Sequence, residues 1–312
     1  MRCRKTITGL VLALALTTLA LCAAPTGATS RPDGRREGSR DGSSPDGASA
    51  PGGSWAAPGR GWSASDRGRA AAAEVSTFRG WAFDTCHAPP LGTMRRWESS
   101  DYRAVGVYFG GRGRACKRQA HLSRDWMRAV QGMGWRVLPL YVGSQSPCVI
   151  ADSKQDVRIG QDAWREGTSE GRDAVSRAKA LGMQRDSPLY LDMEAYGYRN
   201  EECARTTLAF VRAWDREVRR LGYVPGFYSS ADSGVRHMET ARRAGVRDLP
   251  EVMWFARWRT SPDLYREPVL RRDAWHPARR IHQFAGNVKE RHGGRTLLID
   301  RSLVHAPVAQ VR

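Results

Sequence analysis

From residue 79 onward the chain alternates short apolar runs with longer amphipathic stretches, and a glycine or a polar turn separates most of them. Runs rich in β-branched and aromatic residues read as strands, and apolar residues spaced three and four apart read as helices. Strands are expected at 79–84, 104–109, 136–142, the start of 188–198, 224–229, 252–258, 280–285 and 296–301. Helices are expected at 93–99, 121–133, 156–181, 202–221 and 231–244, with 262–272 a helix or an ordered loop. The clearest helix carries Leu208, Val211, Trp214, Val218 and Leu221 as one stripe, which is the pattern of a core-facing side. Gly134, Gly182, Gly222 and Gly245 stand where helix ends need a residue that tolerates the left-handed region. Pro139 inside the third run argues against a strand there.

Strands alternating with helices point to a parallel sheet, and eight strands over roughly 230 residues fit a (β/α)8 barrel, an α/β fold of about 250 residues. The rival is an open doubly wound sheet, but no glycine-rich phosphate loop follows the first strand. Gly110-Gly111-Arg112-Gly113 follows the second and has neither the phosphate-loop nor the dinucleotide spacing. The seventh and eighth strands are joined by a polar, glycine-containing turn too short for a helix.

Before the barrel the composition changes twice. Arg2, Arg4 and Lys5 precede an apolar run from Leu10 to Leu21, and small residues follow at Cys22, Ala23 and Ala24. This is the layout of a secretion signal over 1–24, and the run is too short to span a bilayer comfortably. Residues 25–75 are rich in Gly, Ser, Pro, Ala, Asp and Arg, with Trp55 and Trp62 the main large apolar residues, and read as a disordered linker. That leaves 76–312 for the barrel.

The formal net charge of +18 permits attraction to anionic wall polymers. The cations are scattered, with no aromatic-interleaved cluster or nucleic-acid motif, so they read as a solvated surface rather than a nucleic-acid site. The seven histidines are dispersed, and no Cys-x-x-Cys or His-Glu-x-x-His spacing suggests a metal. Nothing in the chain calls for a cofactor. Outside the signal, Cys86, Cys116, Cys148 and Cys203 form an even set, as expected for two disulfides in an exported chain, with three pairings open.

Chemistry in such barrels sits at the carboxyl ends of the strands. Asp84 closes the first strand, Asp192 and Glu194 the fourth, and Asp300 the eighth, so four acids are expected at one mouth. Side chains on a strand alternate faces, which puts Tyr190, Asp192 and Glu194 on the same side. One of these acids alone would be an ordinary cap or turn residue. The cysteines follow strands one to four in turn, so neighbouring rim loops favour Cys86–Cys116 and Cys148–Cys203. Tyr108, Tyr141, Tyr190, Tyr228, Trp254 and Trp258 suit sugar stacking as well as barrel core, and Tyr196 lies close to the acids in sequence.

Gly80–Cys86, Val105–Gly111, Tyr141–Gln145, Tyr190–Glu194, Gly226–Ser230, Trp254–Trp258, His282–Phe284 and Ile299–Ser302 form an ordered set of motifs. With that set the region 80–304 resembles the bacterial glycoside hydrolase-like domains allied to the family 25 glycoside hydrolases, the lysozyme-type muramidases. The resemblance implies an active site of Asp84, Asp192, Glu194 and Asp300, and makes Gln145 and Gln283 candidate glycan contacts. The mechanism then expected is glycoside hydrolysis. Glu194 is the general acid, its proton held by partial burial beside an ionised Asp192, and Asp192 stabilises the transition state or orients an acetamido group. The expected partner is peptidoglycan or a related amino-sugar polymer outside the cell. The alternative is a barrel that binds wall glycan without cleaving it.

Overall fold

The computed structural model describes residues 76–312; the signal and linker expected at 1–24 and 25–75 lie outside the described residues. The elements are β1 (Thr77–Asp84), α1 (Leu91–Trp97), β2 (Tyr102–Gly110), α2 (Arg124–Gly132), β3 (Arg136–Tyr141) and α3 (Ala163–Ala180). They continue with β4 (Pro188–Asp192), α4 (Glu201–Arg220), β5 (Val224–Ser230), α5 (Arg236–Arg243), β6 (Val252–Ala256), β7 (Arg280–His292) and β8 (Arg295–Pro307). Each strand pairs with the next and β8 returns to β1, which closes an eight-stranded barrel.

Strands β1 to β7 run parallel, but β8 is antiparallel to both β7 and β1. The cause is the short Gly293-Gly294 turn. A parallel return needs a crossover of a dozen or more residues, whereas a tight turn leaves only a hairpin. The regular (β/α)8 expectation is therefore met by the first seven strands and modified at the eighth. Asp300 does not end its strand. It lies in the middle of β8 and reaches the mouth because the antiparallel register sets it opposite Asp84. The paired strands of this hairpin run well past the expected ends at 285 and 301.

The remaining expectations compare locally. The helix expected at 156–181 is two pieces, a 3-10 turn at Asp152–Val157 and then α3, whose first turn is capped by Asp162 accepting from the Arg165 N–H at 3.0 Å. The stretch 262–272 is a loop. Pro139 sits inside β3, paired with Val107 and buried.

Alternation along the strands sorts the core into two layers. Ala82, Ala104, Leu138, Tyr190, Val252 and Trp254 point inward and fill the barrel, the alanines leaving room for the two large rings. Leu189, Leu191, Phe227 and Met253 point outward against the helices, where Val211, Trp214 and Val218 of α4 meet them. The wall is tied at its rim by Cys86–Cys116 and Cys148–Cys203, the two pairs expected from the layout. Chain separations of 30 and 55 residues give each bond a chain-entropy contribution of about 3–4 kcal/mol. Among the described residues no helix is long and apolar enough to cross a membrane.

Candidate active site

The carboxyl ends of β1 to β7 surround a cavity of about 750 Å³, and Asp84, Asp192, Glu194 and Asp300 all line it. Four acids remote in sequence thus share one bowl. Asp84 is buried at the end of β1, where the Tyr108 hydroxyl donates to Oδ1 at 2.6 Å and the Gln283 amide to Oδ2 at 3.0 Å. Space for it depends on Gly106, since a Cβ there would stand 2.5 Å from the Cβ of Asp84. Burial, and then the charge of Asp300, pushes Asp84 up to about 7 against those two hydrogen bonds. Asp300 is also raised by burial; the N–H of Asn287, 2.6 Å away, opposes the rise and the charge of Glu194 adds to it.

Asp192 is 4% exposed and its Oδ1 has no hydrogen-bond partner. Burial first, and the charge of Glu194 second, hold it well above the ordinary carboxylate range, with Lys154 opposing. Burial therefore favours its protonated form, against the ionised Asp192 expected; strand alternation places the side chain but does not give its depth in the barrel. Glu194 lies two residues beyond the end of β4 with its side chain 38% exposed, and the Lys154 ammonium stands 3.8 Å from its Oε1.

The amide of Gln145 holds this pair. Its Nε2 donates to the Asp192 carbonyl at 2.9 Å and its Oε1 accepts from the Glu194 N–H at 2.8 Å. Gln145 is fully buried and does not line the cavity, so the structure gives it the geometry of a positioning residue, not of a glycan contact. Gln145→Ala is expected to strand both backbone groups, lowering stability by about 1–3 kcal/mol. Its fold should persist with Glu194 out of register. Thermal unfolding and an assay of the same variant check the two effects together.

The aromatic candidates divide. Tyr108, Tyr228 and Trp258 line the cavity. Burial and the surrounding acids push both tyrosines well above their usual range, so their hydroxyls stay donors. Gln283 is buried behind them and accepts from both the Tyr228 hydroxyl and the Trp258 indole N–H at 2.9 Å, so its amide ties Asp84, Tyr228 and Trp258 into one network. Trp258 is 43% exposed and packs over Gly286, where a Cβ would stand 2.1 Å from the ring. It has the placement of a stacking platform. The other four do not line the cavity. Tyr190 and Trp254 plug the barrel beneath it, with Tyr190 donating to the Pro307 carbonyl. Tyr141 faces α3 and donates to Asp173. Tyr196 bonds the His237 ring behind β4. The sugar-contact expectation fails for these four because strand periodicity does not separate a barrel's mouth from its plug.

Sequence reasoning missed Lys154, Arg114 and Asn287. Lys154 stands on an irregular 3-10 turn, a place no periodicity marks.

A family model described as Rv2525c-like, glycoside hydrolase-like domain matches residues 95–304. No curated protein matches. Among solved structures, the Tat-secreted protein Rv2525c of Mycobacterium tuberculosis, in complex with L-tartrate, shares 15% identity over 73% of this chain and 96% of that one, with a TM-score of 0.50. The modular autolysin LytC from Streptococcus pneumoniae shares 14% over 74% of this chain and 46% of its own, with a TM-score of 0.46. A muramidase from Acremonium alcalophilum shares 14% over 72% and 93%, with a TM-score of 0.43. At 15% identity the likeness to Rv2525c speaks to the fold alone.

Proposed function

The chain belongs to the family of Rv2525c-like, glycoside hydrolase-like domains, the one its motifs resemble, and from that premise we propose that it hydrolyses an amino-sugar polymer, peptidoglycan first among them. The observation that carries this reading is the convergence of four carboxyl groups with Tyr108, Tyr228 and Trp258 in one open cavity. Glycoside cleavage needs one carboxyl group to protonate the leaving oxygen and a negative charge to support an oxocarbenium-like transition state.

Asp192 and Glu194 supply both from adjacent positions. Depth favours the protonated form of Asp192. Glu194, at the rim, is the general acid that meets the glycosidic oxygen. A sugar ring laid over Glu194 excludes water from it, so the proton passes within the pair from Asp192 to Glu194 and on to the leaving group. Asp192 is left as the anion beneath the developing charge, the stabilising role expected of it. Asp84 and Asp300 accept hydroxyl hydrogen bonds, and Trp258 supports a sugar face.

The two disulfides suit an oxidising compartment, and the expected secretion signal would place the protein at or beyond the cell surface. Wall glycan is the polymer such a protein meets. The test is release of reducing ends from purified cell wall by the protein. Saturable binding to wall with no release would make it a glycan-binding barrel; binding that disappears at moderate salt and ignores substitution of the acids would reduce it to electrostatic adhesion.

A further inference from the structure

No helix lies between β7 and β8, and the outward side chains of β8, Arg301, Leu303 and His305, stay partly exposed. A groove of about 350 Å³ opens on this outer wall. Trp81 of β1, Arg301 of β8 and Phe284 of β7 line it, the loop after β6 adds Pro262, and the turn before β2 adds Asp101. That volume lies at the lower end of small-ligand sites. The groove is separate from the bowl: no residue lines both, and alternation along β8 turns Asp300 inward and Arg301 outward.

The groove has a platform and a polar border. Trp81 is 36% exposed although it sits on a barrel strand, and Phe284 meets its ring edge-on with centroids 5.7 Å apart. Glu290 is fixed beside it. Its Oε1 accepts from the Tyr102 hydroxyl at 2.9 Å and from the Arg301 Nε, and its Oε2 bonds the His292 Nε2 at 2.9 Å. Against its burial, those bonds hold the Glu290 carboxyl below the usual range. Asp101 is exposed and makes no hydrogen bond or ion pair among the described residues. The mouth of the barrel uses none of these groups.

We propose that this outer groove is a second carbohydrate site, which seats one neutral sugar unit of a glycan strand over Trp81 with its hydroxyls toward Asp101 and Arg301. The site does not depend on turnover in the bowl. An aromatic face takes the apolar side of a sugar ring, and a carboxylate and a guanidinium supply an acceptor and donors for its hydroxyls. Charge argues against other occupants. Asp101 and Glu290 against Arg301 leave the groove slightly negative on a chain of net charge +18, so an anionic polymer would go elsewhere. A cation finds Glu290 already paired with Arg301. A peptide finds no free strand edge, because β1, β7 and β8 are each paired on both sides in the closed barrel. Cell wall presents many strands at once, and a second hold on a neighbouring strand would raise the effective concentration of glycan at the bowl.

The probe is chitotetraose with every amino group acetylated, a neutral glycan, titrated into the full chain with nitrogen-15 in its tryptophans. The indole N–H signals of Trp81 and Trp258, assigned from their phenylalanine variants, report the groove and the bowl separately. The Trp81 signal should shift saturably, and should do so equally in Trp258→Ala. Asp101→Ala should weaken the Trp81 response by about two- to tenfold, the worth of one hydrogen bond, and an unchanged Trp258 response in that variant reports an intact fold. A silent Trp81, a response that disappears in Trp258→Ala, or one that Asp101→Ala leaves untouched overturns the site, whatever happens at the bowl. A Trp81 shift with trialanine and none with chitotetraose overturns it in favour of a peptide. A responding Trp81 with a silent Trp258 leaves the outer site standing and counts against the glycan reading of the bowl.

Discussion

Glu194→Gln should reduce release of reducing ends from cell-wall glycan by about 10²–10⁴-fold, the range that a positioned acid contributes, and should leave glycan affinity within a few-fold. The amide keeps the size of the side chain and its place beside Lys154, but has no proton to give. The loss should depend on the leaving group. An aryl glycoside whose phenol departs as a stable anion needs no protonation, so the variant should recover most of its turnover on that substrate. Asp192→Asn should not be rescued in this way, because the buried side chain would still lack the negative charge that Asp192 acquires when its proton leaves. Comparison of the two variants on wall glycan and on the aryl substrate separates the roles. If both are rescued equally, or if Glu194→Gln retains wall-type turnover, the relay through the pair is wrong.

Asp84→Asn should stabilise the protein at pH 8 and leave it unchanged at pH 4. Asp84 has a folded pKa of about 7, raised from 3.8. The native state therefore binds this proton more tightly than the unfolded chain, and stability falls as pH rises between those two values. Above pH 7 the full penalty of an ionised, buried Asp84 is present. A difference of this size corresponds to roughly 2–4 kcal/mol, at 1.36 kcal/mol per unit and with part of the rise owed to Asp300. For a domain of this length that is about 5–15 °C in melting temperature. Asparagine does not ionise and can still bond Gln283 and Tyr108, so its stability curve should be flatter over the same window. Calorimetric scans of both proteins at pH 4 and 8 check this. A variant less stable than wild type at pH 8 would show that Asp84 supports the fold rather than straining it. Stability gained at the expense of turnover is the pattern expected of an acid kept for chemistry.

How far these acids could be read from the chain depended on what positions each one. Asp84, Asp192 and Glu194 follow apolar runs whose period places them, and the fourth helix from Glu201 was plain in its stripe of Leu208, Val211, Trp214, Val218 and Leu221. Asp300 is different: it ends no strand, and only the reversal of β8 forced by the short Gly293-Gly294 turn sets it opposite Asp84. Inward-facing residues alternate identically at the mouth and in the plug, so Tyr190 and Trp254 could not be told from Tyr108 and Tyr228 by pattern. Depth is what raises Asp192, and depth belongs to the closed barrel rather than to the local sequence. Lys154 approaches Glu194 across 40 residues of chain, through a turn that no local rule places.

The β7–β8 hairpin sets where this protein can vary. Beyond Gln283 and Ser302 its two strands pair with each other, and the Asn287, Leu297 and Leu298 that it contributes to the bowl come from this overhang. Insertions or exchanges near the Gly293-Gly294 tip would reshape one bank of the bowl without breaking a barrel ladder. Changes in glycan preference among related chains should gather there and spare the Asp192–Glu194 pair on the opposite bank. Grafting that hairpin between homologues is therefore the cheapest route to redirecting them.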